Sequence, residues 1–496
     1  MNYEFVLNDL YPTQDEIESV RITAEKVIGF LNKTCEKESI PAEAMAVGSV
    51  AKKTWLSGKS DIDIFIHFPL DYDMQELKEK GLYLGYKTND AFNGVASEHY
   101  ASHPYLTCDI DGFEVDIVPC YSINDGSQLK SAVDRTILHT KYIQAHLREG
   151  QEREVLLLKR FMDCVGTYGS EFKTGGFAGY LCELLILKYD SFENTLRQAR
   201  DWSFHTIIDL EDYGTADNKL FKKDPLVMID PTDKNRNVAA ALRKERMVDF
   251  MVASRNFINI IDNDEISDEI KQSKVLEFFK PLQKPRFANN SLENIKKSII
   301  DEFDDRESQT LIITFPISKE ISADALHPQL LKTVESIVEK LNEEEFSVFS
   351  YDYWTDENKI VVFIIELNVF EQSKYYIHEG PKVWNRIACE NFAKKWGDEV
   401  YYNGEFAVLK RKRLNNTAVG FIDYILKKEN VHIIKVGKNI KKALCNEHGL
   451  YDVDEFLNNL DESFDLIEDD LEMESLELDL LNTLDDLMNP GQYVKR

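Results

Sequence analysis

Two aspartates stand one residue apart inside a strongly apolar, β-branched run, "DIDIFIHF" at 61–68. Aspartate is depleted in strands and rarely buried without a partner, so this run constrains the fold more than any other stretch. Side chains two apart on a strand share a face, so Ile62, Ile64 and Ile66 turn to a core while Asp61 and Asp63 lie side by side opposite. Carboxylates held that close repel unless a cation stands between them. Hard divalent ions such as Mg2+ take oxygen ligands of this kind and share them with substrate phosphates. Asp116 in "EVDIVP", flanked by the core-facing Val115 and Ile117, supplies a third carboxylate. Three carboxylates on neighbouring strands hold two metals, one activating an attacking hydroxyl and one neutralising a departing pyrophosphate.

By itself an Asp-x-Asp reads more often as an exposed edge strand. Gly48-Ser49 just ahead of it changes the balance. A Gly-Ser turn entering a helix brings backbone N–H groups and a hydroxyl close to phosphate oxygens.

A chain of 496 residues exceeds one hydrophobic core and implies about three domains. The start "MNYEFVLNDL" has no signal-peptide character, and no run approaches ~18 apolar residues, which reads as a soluble, cytoplasmic protein with no membrane partner. The seven cysteines form no CxxC pair and read as reduced thiols. The net charge of −29 looks wrong for a nucleic-acid partner, but it is segregated. Residues 451–496 hold 15 acidic and 2 basic residues, whereas 410–442 hold 10 Lys or Arg against 2 acids.

The pattern along the chain predicts a helix over 13–32 capped by Thr13, a strand-rich region over 43–120, and helical periodicity over 134–260 broken at "KTGGFAG". After "FFKP" at 278–281 a β-α-β-β order predicts a second, smaller α+β domain, with strands "TLIITFPI", "FSVFSYDYW" and "KIVVFIIELN" around the helix "PQLLKTVESIVEKLN". Leu457, Leu460, Phe464, Ile467 and Leu471 predict a terminal amphipathic helix.

"VGSVAKKTWLSGKSDIDIFIHFP", "HPYLTCDIDGFEVDIVPCY", "AVDRTILHTKYI", "GFAGYLCELL", "IDPTDKNRNVAAAL", "FFKP" and "VGKNI" together resemble the class I, archaeal-type CCA-adding enzymes, tRNA nucleotidyltransferases of the DNA polymerase beta superfamily. The resemblance covers about residues 1–450. It implies an α+β multidomain chain: a polymerase-beta-like catalytic head at 1–145, a mainly helical neck at 146–282, an α+β body and tail at 283–450, and an acidic helical extension at 451–496. It implies template-independent addition of C, C and A to a tRNA 3′ end from CTP and ATP, with two Mg2+ ions.

Carried over by position, Asp61, Asp63 and Asp116 match the catalytic metal carboxylates, and Gly48, Ser49 and Lys52 the turn that meets the triphosphate. Lys159 and Tyr168 match further triphosphate contacts, His103 a nucleotide-sugar contact, His139 a residue near the nucleotide, and Arg236 the side chain that reads the base edge. Ser102 departs from the acidic residue common before this histidine. By spacing alone, His103 and His139 read as satisfied structural residues, Tyr168 as core, and Lys159 and Arg236 as surface charges. The glycines of "KTGGFAG" read either as a packing contact or as an approach to RNA.

Lys410, Arg411, Lys412 and Arg413, followed by Lys427, Lys428, Lys435, Lys438, Lys441 and Lys442, read as a solvated face or as a strip for the tRNA acceptor stem and T arm. Trp354, Tyr375, Tyr376, Trp384 and Trp396 are core or stacking residues. The extension beyond about 472 has no counterpart in the resemblance and reads as a packed helix, a shield over the basic strip, or a pairing element of a homodimer. An A-adding-only enzyme, a poly(A) polymerase and a non-catalytic RNA-binding protein on the same head stay open as alternatives.

Overall fold

The computed structural model describes residues 1–58, 60–100, 103–216, 219–318, 321–460, 470–492 and 495. The chain divides into two compact units, Met1–Leu282 and Gln283–Gln492.

The first unit begins with α1 (Glu4–Leu10) and α2 (Gln14–Glu38), the latter capped by Thr13, whose hydroxyl accepts from the Glu16 N–H at 3.1 Å. A five-stranded sheet follows: β1 (Glu43–Ala46), β2 (Ile62–Phe68), β3 (Val95–Tyr100), β4 (Pro104–Ile110) and β5 (Phe113–Tyr121), in the order β1-β2-β5-β4-β3. The short helix α3 (Gly48–Lys52) leaves β1 toward the carboxylate strand. β2 is flanked on both sides, antiparallel to β1 and parallel to β5, so the edge-strand reading of Asp-x-Asp does not hold. Ile62, Ile64 and Ile66 turn to the core beneath α2, as alternation predicts. The opposite face is not wholly open, because Phe65 packs with Val47, Val118 and Ile137.

The strand-rich reading of 43–120 missed α4 (Met74–Phe92). Asp73 caps it by accepting from Gln75 and Glu76, and Leu77, Gly81, Leu84, Gly85 and Thr88 face inward. At Gly81 a Cβ would come 2.4 Å from Pro119 Cγ, so this helix sits on β5 at a distance only glycine permits.

The helical part contains α5 (Arg135–His146), α6 (Gln151–Cys164), α7 (Gly179–Tyr189), α8 (Phe192–Ala199), α9 (Lys244–Ile261) and α10 (Asp268–Leu276). Its core is rich in phenylalanine, with the Phe161 ring in contact with those of Phe192, Phe250 and Phe257. A small sheet, β6 (Thr206–Ile208), β7 (Leu226–Asp230) and β8 (Asp233–Asn237), is embedded here and was not legible as strands. Gly175 and Gly176 of the glycine-rich break take the packing reading. The Gly176 N–H donates to Gly169 O at 2.7 Å, and a Cβ there would stand 2.2 Å from Thr167 O.

The second unit holds α11 (Leu292–Asp305) and a sheet of order β10-β11-β9-β15, built from β9 (Gln309–Pro316), β10 (Val348–Thr355), β11 (Ile360–Leu367) and β15 (Gly449–Asp452). With α12 (Ala323–Glu343), the expected β-α-β-β order is present. α12 covers one face, and a second three-stranded sheet adds β12 (Tyr375–Lys382), β13 (Tyr401–Asn403) and β14 (Phe406–Lys412) beside α13 (Arg386–Trp396). α14 (Ala418–Leu426) joins the α12 core, and α15 (Lys441–Asn446) and α16 (Val453–Asn458) complete the labelled helices.

Of the terminal helix predicted around 457–471, Phe464 and Ile467 lie outside the described residues. The helix Asp470–Met488 packs as a layer on the far face of the four-stranded sheet, burying Leu480, Leu481, Leu484, Leu487 and Met488 with Trp354, Val362 and Ile364. Three of its acids are paired within this unit: Lys296 meets Glu477 at 3.2 Å, Lys284 meets Asp486 at 2.7 Å and Arg286 meets Asp485 at 3.3 Å. Those pairs support the packed-helix reading over the shield. Trp354 is core, its indole N–H donating to Asp479 at 2.9 Å, and so is no stacking residue.

All seven cysteines are free. Among the described residues no helix is long and apolar enough to cross a membrane.

Candidate active site

Asp63 on β2 and Asp116 on β5 are direct partners in the parallel register, so their carboxylates stand side by side at the centre of the sheet. Burial, then the charges of Asp116 and Asp61, push the Asp63 carboxyl up to about 7, with Lys52 opposing. Asp116 is also raised, mainly by burial, against the hydrogen bond donated by the Thr107 hydroxyl to Oδ1 at 2.5 Å. Thr107 and Ser97 extend this row across β4 and β3, since Thr107 pairs with Asp116 and Ser97 with Thr107.

The expected cage of three carboxylates is only partly assembled. Asp61 lies one residue ahead of β2 and is exposed, and among the described residues no three His, Cys, Asp or Glu side chains close on a common metal position. Raised carboxyls on Asp63 and Asp116, with an all-oxygen donor set, nevertheless fit a hard divalent cation.

Gly48 makes the approach to this pair possible. Its φ is +68°, a conformation glycine adopts freely, and a Cβ there would stand 1.9 Å from Asp63 Oδ2. Its N–H donates to Thr140 Oγ1 at 3.3 Å, tying the turn to α5. Ser49 and Lys52 follow on α3.

Lys52 Nζ donates to Glu183 Oε2 at 2.6 Å, and the Thr54 hydroxyl donates to Glu183 Oε1 at 2.6 Å. Lys159, fully inside the protein, donates to Thr54 O at 2.7 Å and stands 3.8 Å from Glu183. It is therefore neither the solvated charge of the spacing argument nor open to a ligand as it lies. Burial pushes the Lys159 ammonium down while Glu183 opposes. Burial would raise Glu183, but the charges of Lys52 and Lys159 and the hydrogen bonds from Lys52 and Thr54 hold it below the usual carboxylate range. Tyr168, partly buried, comes to the same place: a Cβ on Gly179 would lie 3.2 Å from its hydroxyl and 3.5 Å from Lys159 Nζ. Thus Gly179, not the Gly175-Gly176 pair, lets the start of α7 approach these side chains.

Tyr180 links the lysines to the histidine. Its ring lies 5.8 Å from Lys52 Nζ and stacks on His139 with centroids 3.9 Å apart. His139 Nε2 bonds Asp230 Oδ2 at 3.0 Å, and Arg236 Nη1 donates to the same oxygen at 2.9 Å. His139 and Arg236 are thus brought together by an acid at the end of β7. His103 is not brought to this group by any contact. It is buried one residue ahead of β4, and neither ring nitrogen finds a partner among the described residues. Burial lowers its pKa. Ser102 lies outside the described residues.

Glu183, Asp230, Tyr180 and Thr107 were not singled out in the sequence. Two of them carried a signal. "CELLILKY" puts an acid in an apolar helix and "LVMID" ends a buried strand on one, the same anomaly as "DIDIF".

The basic run divides. On β14 Lys410 and Lys412 are exposed, with Lys410 Nζ 4.7 Å over the Tyr375 ring. Arg411 lies 4.8 Å over Trp396. Arg413 departs from the expected RNA-facing role: it pairs with Glu345 and covers the Tyr376 ring at 4.9 Å. Lys435, Lys438, Lys441 and Lys442 are exposed, as are Lys427 and Lys428, with Lys427 paired to Asp423 at 3.1 Å.

Comparison with known proteins gives the family. The chain is 45% identical over 88% of its length, and over 90% of the relative, to the CCA-adding enzyme of Methanothermobacter thermautotrophicus. The chain belongs to the CCA-adding enzyme family. It is likewise 38% identical to the Methanocaldococcus jannaschii CCA-adding enzyme over 79% of this chain and 83% of that one, and 31% identical to that of Halobacterium salinarum over 89% and 91%. Residues 27–139 match the nucleotidyltransferase domain, 153–265 the second domain of tRNA nucleotidyltransferase, and 306–452 the C-terminal domain of the CCA-adding enzyme. CCA-adding enzymes are tRNA nucleotidyltransferases that extend the tRNA 3′ end without a nucleic-acid template, and nucleotidyltransferases of this fold generally use divalent metals. A solved cytoplasmic RNA terminal U-transferase aligns with 56% of this chain and 97% of its own at 14% identity and a TM-score of 0.43, too remote to bear on function.

Proposed function

We propose that this chain adds C, C and A in turn to a tRNA 3′ hydroxyl from CTP and ATP, releasing pyrophosphate, at the site centred on Asp63 and Asp116. The observation that carries the reading is the direct pairing of these two carboxylates beside a turn that Gly48 alone can make. Asp61, Asp63 and Asp116 would hold two Mg2+ ions, whose chemistry when bound is to acidify the attacking hydroxyl and neutralise the leaving pyrophosphate. Asp116, with one oxygen fixed by Thr107, is placed to accept the hydroxyl's proton.

Ser49 and Lys52 meet the triphosphate at the Gly-Ser turn, with Lys159 and Tyr168 behind them at the start of α7. Lys52 exchanges its bond to Glu183 for a phosphate oxygen when nucleotide arrives. Arg236, part-exposed with one nitrogen anchored, presents its guanidinium edge to the base. His103 contacts the sugar only after a change from its buried position. Within this reading residues 1–145 are the catalytic head, 146–282 the neck, 283–450 the body and tail, and 451–496 the acidic extension. Lys410, Arg411, Lys412, Lys438, Lys441 and Lys442 meet the tRNA backbone. Asp63→Ala abolishes nucleotide transfer while tRNA affinity, measured by filter binding, stays near that of the parent chain, because the phosphate contacts lie elsewhere. Retained transfer would remove the carboxylate pair from the mechanism.

A further inference from the structure

Asp230 takes no part in the reading above, yet it is the most heavily bonded acid near the nucleotide side chains. It ends β7, is inaccessible to solvent, and both of its oxygens are engaged. Oδ1 accepts from the Thr232 N–H at 2.9 Å and the Thr232 hydroxyl at 2.8 Å, with the Tyr180 hydroxyl at 3.5 Å. Oδ2 takes His139 Nε2 at 3.0 Å and Arg236 Nη1 at 2.9 Å. Burial alone would raise this carboxyl, but the hydrogen bonds from His139 and Thr232 hold it well below the usual carboxylate range, while burial pushes the His139 imidazole down. A buried carboxylate with donors fixed on both oxygens has one orientation.

The consequence falls on Arg236. It is the fourth residue of β8, after the β7–β8 turn, and its side chain is one-third exposed. Among the described residues Asp230 is its one hydrogen-bonding partner. An arginine on a short hairpin has four side-chain torsions free, and a guanidinium reads a base edge only when its fork is held at a fixed angle. The same oxygen that fixes Nη1 also fixes His139, which stacks on Tyr180, whose ring in turn faces Lys52.

We infer that Asp230 is a positioning residue for nucleotide selection: by holding Arg236 and His139 on one carboxylate oxygen, it sets the direction in which the guanidinium edge meets the incoming base. This rests on the reading of Arg236 as the side chain that reads the base. Asp230 touches no nucleotide itself, so its removal leaves triphosphate binding in place and loosens discrimination between bases.

The test compares kcat/KM for CTP and ATP with kcat/KM for UTP and GTP on tRNA ending before, within and after CC, in Asp230→Asn, Thr232→Val and Arg236→Lys chains. A ratio between nucleotides cancels a general loss of folded enzyme. In Asp230→Asn the preference for the correct over the incorrect nucleotide falls by about tenfold or more, the scale of one good base-edge contact, and in the same direction as in Arg236→Lys. Thr232→Val, which deletes one donor to Oδ1 at a part-exposed position, shifts the preference the same way by less and decides the matter should Asp230→Asn not fold. If Arg236→Lys loosens selection while Asp230→Asn and Thr232→Val lower all four nucleotides equally, the positioning role is overturned and the base-reading role stands. If Arg236→Lys leaves selection unchanged, the base-reading role falls and the inference falls with it.

Discussion

Gly48 is the residue on which the site turns. A left-handed φ of +68° and a would-be Cβ 1.9 Å from Asp63 Oδ2 mean that any side chain there displaces either the turn or the Asp63 carboxylate. Gly48→Ala therefore lowers kcat by at least about 10²-fold, the cost of an ångström of misplacement in a reacting group, while far-UV circular dichroism stays unchanged. An unchanged kcat would show that the turn and Asp63 are not coupled. Three acids, Glu183 and Asp230 buried and Asp63 partly so, follow one physical rule. Asp63, Glu183 and Asp230 each sit in an apolar run of sequence, where an uncompensated charge is costly, and each is found beside cations or a place for one. Asp63 was legible because a second aspartate and a Gly-Ser pair stood near it. Glu183 and Asp230 carried the same signal singly; Lys52 and His139 reach them from about 130 and 90 residues away, and Arg236, six residues past Asp230, meets it only through the β7–β8 hairpin.

At the scale of elements, what could be read was what declares itself by period. β2 and β5 alternate, α2 has a capping threonine, and the β-α-β-β order of the second unit is written in four regular segments. α4 was hidden because its inward face uses Gly81, Gly85 and Thr88, whose small size suits close approach to β4 and β5 but gives no hydrophobic stripe. β8 was hidden because "DKNRN" is polar and mostly outward, its strand character imposed by pairing with β7. The helix Asp470–Met488 lies beyond residue 452, where the match to the family's C-terminal domain ends, yet it closes a sheet face over Trp354. Leu484→Ala in that buried layer destabilises the second unit by about 2–5 kcal/mol in denaturant unfolding, the usual cost of a cavity at a core leucine. A change near zero would mean that the helix only rests on the surface.

At the scale of the whole molecule, the net charge of −29 is segregated along the chain, and under the proposed function that segregation leaves a basic strip for a polyanion. Exposed lysines on β14 and around α15 stand in the second unit, while three acids of the terminal helix are paired with Lys284, Arg286 and Lys296. Replacing Lys438, Lys441 and Lys442 by alanine lowers the slope of log affinity for tRNA against log salt by about 0.7–0.9 for each phosphate no longer neutralised. A slope equal to that of the parent would take this strip out of the interface. The proposed function places nucleotide chemistry at Asp63 and Asp116 in the first unit, and its central claim is that the two functions combine in ordered, template-free CCA addition. The direct measurement incubates the intact chain with Mg2+, tRNA lacking CCA, and one labelled nucleotide at a time. CTP alone extends the tRNA by C and C, and ATP alone extends only tRNA that already ends in CC. Absence of incorporation from CTP, with ATP still added to tRNA ending in CC, would contradict the account and identify an A-adding enzyme instead.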